Sequence, residues 1–269
     1  MHINENIKKA LMIAADVLLA IYLFVAMTAF NEPDCTAVVC NKVNIDVSDN
    51  AASGFLSAAE IRAILQRQGL YPLRRAAVDV NPRVIEEALT GSPFVKKAEC
   101  YKAQDGTVTI SIEQRLPVIR IKSDNGDDYY IDERGGIMPN SKYTSDLIIA
   151  SGSITRQWAR QNIIGIAKAL MQSDLWRNQI EQIYIRPGDG IELVPRVGDH
   201  SIYLGTLPHT KGSKEERQEA ITKWVTAKMD RMEKFYKYGL TRAGWNKYKE
   251  ISLEYDNQII CKKRPAKRG

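Results

Sequence analysis

Residues Ala10 to Phe30 read ALMIAADVLLAIYLFVAMTAF, a run of 21 whose one charge is Asp16, and no other feature limits the chain as strongly. At about 1.5 Å per residue a helix of that length spans a bilayer. A cleavable export signal has an apolar run of only about 7 to 15 residues followed by a small-residue site, and no such site follows Met27. A core helix would carry polar positions at helical spacing; this run is apolar on every face. The sequence therefore predicts an uncleaved transmembrane helix over 10–30. Lys8 and Lys9 precede it and Glu32 and Asp34 follow it, so residues 1–9 are expected in the cytoplasm and the bulk of the chain outside it. An ionised Asp16 near the centre of the span would cost about 2.5 to 3.5 kcal/mol. It is either protonated or a polar contact to a partner membrane helix.

The chain is modestly basic, 38 Lys and Arg against 32 Asp and Glu. Five of those bases, Lys262, Lys263, Arg264, Lys267 and Arg268, sit in the last eight residues, with no acid among them. Nucleic-acid binding calls for a basic stripe with interleaved aromatics, so one short tail argues against it. Cys35, Cys40, Cys100 and Cys261 fall beyond the span, where disulfides persist. Cys35 and Cys40 are close enough to close a small loop, while Cys100 and Cys261 read as small buried hydrophobes. With His2, His200 and His209 as the only histidines and no C-x-x-C, no zinc constellation is visible and no metal or cofactor is expected.

Beyond a linker over 31–41, Val43, Ile45 and Val47 alternate as a strand. Ser57 and Glu60 form a capping box ahead of Ile61, Ile64 and Leu65, and Gly69 closes that helix. Asn81 and Pro82 open a second short helix. Strands over 94–103 and 107–115 are joined by Asp105-Gly106, read as a tight primed turn. Further strands are expected at 117–122, 128–131, 180–186, 191–197 and 200–205, with helices around 155–173 and 213–238, the second closed by Gly239. The apolar stripe of that last helix runs Ile221, Trp224, Val225, Lys228, Met232, Phe235. Two final strands, 248–255 and 258–262, flank Asp256-Asn257. The fold class is α+β: the membrane helix, a small domain over 42–117, and an antiparallel β domain with two helices over 118–262, ending in a basic tail at 263–269.

The order strand, helix, helix, strand, strand, with Pro93-Phe94-Val95-Lys96-Lys97-Ala98 and Glu113-Gln114-Arg115-Leu116-Pro117-Val118, resembles a POTRA domain of bacterial division proteins. Tyr129 to Gly135 resembles the turn that follows POTRA in the FtsQ/DivIB family. That resemblance implies a non-enzymatic scaffold of the inner membrane and division septum. It would be single-pass and largely periplasmic, binding FtsB and FtsL and helping to control septal peptidoglycan synthesis, with FtsK, FtsW and FtsI as further partners. It also implies partner contacts at Tyr255, Gln258, Ile259, Ile260, Cys261 and Lys262, with Arg196 supplying charge. No small-molecule substrate is expected.

Taken alone, the residues leave the last strand as either an open edge inviting a partner strand or one guarded by Lys262, Lys263 and Arg264; the resemblance favours the first. Catalysis finds little support, because G-x-S-x-G and H-E-x-x-H are absent from the sequence. His200, placed in a strand, and His209, in a polar loop, are expected at the surface. Asp127, Asp128 and Gly188-Asp189-Gly190 read as turns. The alternative from another class is a membrane-anchored periplasmic glycan hydrolase with carboxylates of the β domain as acid and base.

Overall fold

The computed structural model describes residues 5–29, 38–48, 56–141 and 147–265. Phe30, Cys35, most of the 31–41 linker and the last four residues of the basic tail lie outside them, as does any Cys35–Cys40 link. Helix α1 covers Glu5–Ala29. Its described side chains within the expected span are those of 11–27, and all but Ala26 are exposed, Asp16 included. Among the described residues no helix is long and apolar enough to cross a membrane.

The chain divides into two compact units. In the first, β1 (Lys42–Ser48), α2 (Ala58–Arg67), α3 (Pro82–Thr90), β2 (Val95–Lys102) and β3 (Thr107–Gln114) build a three-stranded sheet ordered β1-β3-β2. The helices start where the sequence places them. Ser57 Oγ accepts from Glu60 N–H while the Glu60 carboxylate takes the Ser57 N–H, and Asn81 Oδ1 caps Arg83 N–H ahead of Pro82. Such caps contribute about 1 kcal/mol each. Ile61, Leu65, Ile85 and Leu89 on the helices and Val108, Ile110 and Ile112 on β3 are all buried. The β2–β3 connection corrects the primed-turn expectation. Gly106 alone carries positive φ, and its N–H donates to Ala103 O at 3.3 Å. This is a type I turn closed by a left-handed glycine.

The second unit is a nine-stranded sheet ordered β12-β11-β10-β9-β8-β7-β4-β5-β6. Its strands are β4 (Pro117–Ser123), β5 (Asp128–Asp132), β6 (Ile137–Pro139), β7 (Ile149–Gly152), β8 (Ile180–Arg186), β9 (Gly190–Pro195), β10 (Ser201–Thr206), β11 (Tyr248–Ser252) and β12 (Ile260–Lys263). The sheet is mixed, which corrects the antiparallel expectation: β4–β7, β7–β8 and β10–β11 pair in parallel. Parallel neighbours need a long crossover. Here α4 (Arg156–Met171) and α5 (Asp174–Gln179) carry the chain from β7 to β8, and α6 (Lys214–Phe235) carries it from β10 towards β11.

The domain therefore holds more than the two expected helices. Nor does α6 stop at Gly239: a π-helical turn, Tyr236–Leu240, and a short α7, Thr241–Ala243, follow, and Gly244 with φ 95° ends the run. Gly239 serves space, since a Cβ there would stand 2.6 Å from the Phe235 ring. Helices α4 and α6 pack closely at Gly165, where a Cβ would come within 2.7 Å of Gln218 O and 2.8 Å of Ile221. Beneath them Ile121, Ile183, Ile185, Ile191, Leu193, Ile202 and Ile251 form one core with Ile163, Ile166, Ile221 and Val225. Each fully buried aliphatic side chain contributes about 1.5 to 3 kcal/mol.

Candidate functional site

Strand β12 is the end of the sheet. It pairs with β11 through Ser252↔Ile260, Ile251↔Cys261, Glu250↔Lys262 and Tyr248↔Lys263, and a bulge on β11 takes up the extra residue. The Arg264 N–H donates to Lys247 O at 3.1 Å. Alternation along a strand then turns the main-chain groups of Ile260 and Lys262 towards β11, leaving those of Cys261 and Lys263 on the open side. Ile260 is 45% exposed. Cys261 is half-buried with Ile259 against the core, and burial pushes its thiol pKa up. Strand β12 begins at Ile260, so Gln258 and Ile259, read as part of it, belong to the connection from β11, where Asn257 adopts φ 61°. Tyr255 stands in that connection, 55% exposed. Arg196 lies just past β9, three strands from β12, with its N–H on Gln179 O at 2.6 Å. Asp16 belongs to α1 in the other unit.

A row of charges runs over one face of the sheet to this edge. Arg186 on β8 donates to Glu192 on β9 at 2.7 Å and to Glu250 on β11 at 2.9 Å, and lies 4.4 Å from the centroid of the Tyr203 ring on β10. Glu250 also takes Lys262 on β12 at 2.6 Å. Burial pushes the Glu250 carboxyl up, but the hydrogen bonds from Lys262 and Arg186 outweigh it and hold the pKa below the ordinary carboxylate range. A glycosidase general acid needs the reverse shift, so the one carboxylate pair gathered here is organised as an ion-pair ladder. At the end of β12, Arg264 reaches Asp199 at 3.1 Å.

His200 corrects its surface assignment. It is 3% exposed, directly before β10, and its Nε2 meets Tyr236 Oη at 2.8 Å inside a cluster with Trp245. Burial, then Arg264, pushes its pKa down, against Asp199. The His200 ring stands edge-on to Tyr236 and tilted against Trp245. His209 is exposed. Cys40, Cys100 and Cys261 are free thiols among the described residues, and burial first, then Glu86, raises Cys100 to about 11. No group of three or more His, Cys, Asp and Glu able to hold a metal occurs among the described residues. Asp127 and Asp128 are held by Arg156 and Arg120, and Gly188-Asp189 is a turn with both residues at positive φ.

Sequence reasoning missed the Arg186–Glu250 ladder, because its members come from strands far apart in the chain. It also missed what Lys228 does, although a lysine on the apolar stripe of α6 was a visible signal.

The family model described as FtsQ/DivIB, C-terminal related, matches residues 116–262, and one described as a POTRA-like domain matches residues 38–113. No curated protein matches the chain.

Proposed function

The chain belongs to the FtsQ/DivIB family of cell-division proteins, and on that premise we propose that it is a bitopic division-site scaffold that takes a partner strand on the open side of β12. The family is generally non-enzymatic and works through protein–protein interactions of the division machinery. The partners we assign to this edge are FtsB and FtsL, and through them the protein would help to control septal peptidoglycan synthesis. The observation that carries the reading is the exposed edge: Cys261 and Lys263 turn their main-chain groups outward, with Ile260 and Tyr255 exposed beside them. Strand addition draws affinity from main-chain hydrogen bonds and specificity from neighbouring side chains.

We assign α1 the role of membrane anchor, inserted with Lys8 and Lys9 on the cytoplasmic side. Leu11, Leu18, Tyr22, Phe24 and Met27 are each more than half exposed. In water that arrangement forgoes about 1.5 to 3 kcal/mol per large apolar side chain, which lipid would restore. Within that anchor, Asp16 would meet a partner membrane helix. The bulk of the protein would then stand in the periplasm at the septum.

The test is capture of FtsB and FtsL by the detergent-solubilised full chain, wild type against Cys261→Pro. Proline removes an outward-facing donor and leaves the pairing to β11 in place, as edge strands tolerate. Loss of capture at an unchanged melting temperature is expected; undiminished capture would remove the site from β12.

A further inference from the structure

Helix α6 carries two cations one turn apart, Lys228 and Arg231, and both are aimed at main chain. Lys228 Nζ donates to Leu253 O at 2.6 Å and to Glu254 O at 3.0 Å. Arg231 donates to Leu253 O at 2.9 Å and to Tyr255 O at 2.8 Å. Three successive carbonyls, all those between the end of β11 and Asp256, are thus held from one helix. Lys228 is 3% exposed, with its ammonium 4.9 Å from the centroid of the Trp224 ring. A lysine is almost never fully buried unless paired, and the Lys228 ammonium is paired with these carbonyls. Burial, with Arg231 beside it, pushes its pKa down, and Asp256 and Glu254 oppose that.

The opposite side of the same segment is also fitted. Leu253 N–H donates to Tyr203 O at 2.7 Å, and Gly205, with φ 97°, lets the Glu254 backbone approach so closely that a Cβ would stand 3.3 Å from Glu254 Cα. The segment is gripped between β10 and α6 just before the chain turns at Asn257 into β12.

We propose that Lys228 and Arg231 are positioning residues for partner docking: by clamping the carbonyls of 253–255 they fix where Tyr255 stands and in what register β12 offers its open side. The proposal rests on the strand-addition reading above and deepens it. A flexible edge must be ordered on binding at a cost in affinity, whereas a clamped one is already ordered. The helix that carries the clamp is not itself part of the edge.

The test uses the full chain in detergent micelles, as wild type, Lys228→Met and Lys228→Arg. Amide hydrogen exchange is read along β8, β9 and β12, and, in cells making FtsB and FtsL, crosslinking is read from a benzoylphenylalanine replacing Ile260. Lys228→Met keeps the side-chain volume, so the fold should survive. Exchange over 257–263 is expected to quicken about tenfold, with β8 and β9 unchanged. The crosslink to FtsB should weaken about fivefold, and Lys228→Arg, which can still reach carbonyls, should recover part of both. Exchange that rises evenly through β8, β9 and β12, or not at all, would overturn the clamp. If the wild type crosslinks nothing from position 260, the strand-addition reading falls, and the docking role of the clamp with it. If the wild type crosslinks and Lys228→Met changes neither readout, the clamp alone falls.

Discussion

The nine-stranded sheet ends in two edges that manage exposure in opposite ways. At one end β6 is three residues, Ile137-Met138-Pro139, paired to β5 from Ile131 to Tyr129. Met138 is fully buried and Pro139 has no N–H to offer. A short strand ending in proline is a poor template for another chain. At the other end β12 turns Cys261 and Lys263 outward, with Ile260 and Tyr255 exposed around them. Its lysines discourage indiscriminate pairing without removing a donor. Within one sheet, then, one edge is closed by backbone chemistry and the other is left open and guarded by charge, which is what selective strand addition requires.

The closed edge should be the costlier to break. Asp132, 7% exposed, takes two bonds from Arg115, at 2.9 Å and 2.7 Å, and accepts from the Arg134 N–H at 3.0 Å and the Gly136 N–H at 2.6 Å, pinning the β5–β6 turn. Asp132→Ala strands Arg115 and should destabilise the unit by about 3 to 5 kcal/mol in urea unfolding. A loss under about 1 kcal/mol would mean that Arg115 stays satisfied without Asp132, through Pro93 O and Ile137 O. On the open side the expected effects are smaller. Gly205→Ala forces an alanine into positive φ against Glu254 and should cost about 1 to 3 kcal/mol. It should also speed exchange in β12 more than in β5. Equal acceleration in both strands would erase the contrast between the edges.

How far the sequence disclosed this contrast follows from the range of each signal. Caps are local, so Ser57, Glu60, Asn81 and Pro82 placed α2 and α3 correctly. Strands β6 and β7 have three and four residues, too short for alternation to register. Without β7, the helix after Thr155 could not be recognised as a crossover, and the parallel pairs at the sheet's centre stayed hidden. Gly239 carries the composition of a stop, yet it sits against Phe235 inside a helical turn. The outer strand was legible as an edge candidate, but its start was placed two residues early. What holds it, Lys228 on α6 and Gly205 on β10, depends on contacts 20 to 50 residues away in the chain, which no local pattern reports.

The finest separation of the edges should come from acid. Glu250 binds Lys262 of β12 at 2.6 Å and Arg186 at 2.9 Å, and its pKa in the folded protein lies below its unfolded value. Its contribution is therefore present in full above the ordinary carboxylate range and is lost as pH falls through the lower, folded value. Lys262 is mostly exposed, so the contribution is about 1 kcal/mol or less, and salt should screen it. Protection of the β12 amides, taken relative to the intrinsic exchange rate at each pH, should accordingly fall as the solution is taken from neutral pH to below the carboxylate range. Glu250→Gln should show the lowered protection already at neutral pH and flatten its pH dependence. The β6 edge carries its own acid-sensitive pair, Asp128, whose hydrogen bonds from Arg120 hold its pKa down, so that edge is not indifferent to acid. The discriminating result is what Glu250→Gln leaves unchanged. If the acid response of β5 survives the substitution while that of β12 disappears, the ladder serves the open edge locally. If both disappear, the two edges share one cooperative opening and their difference lies only in shape.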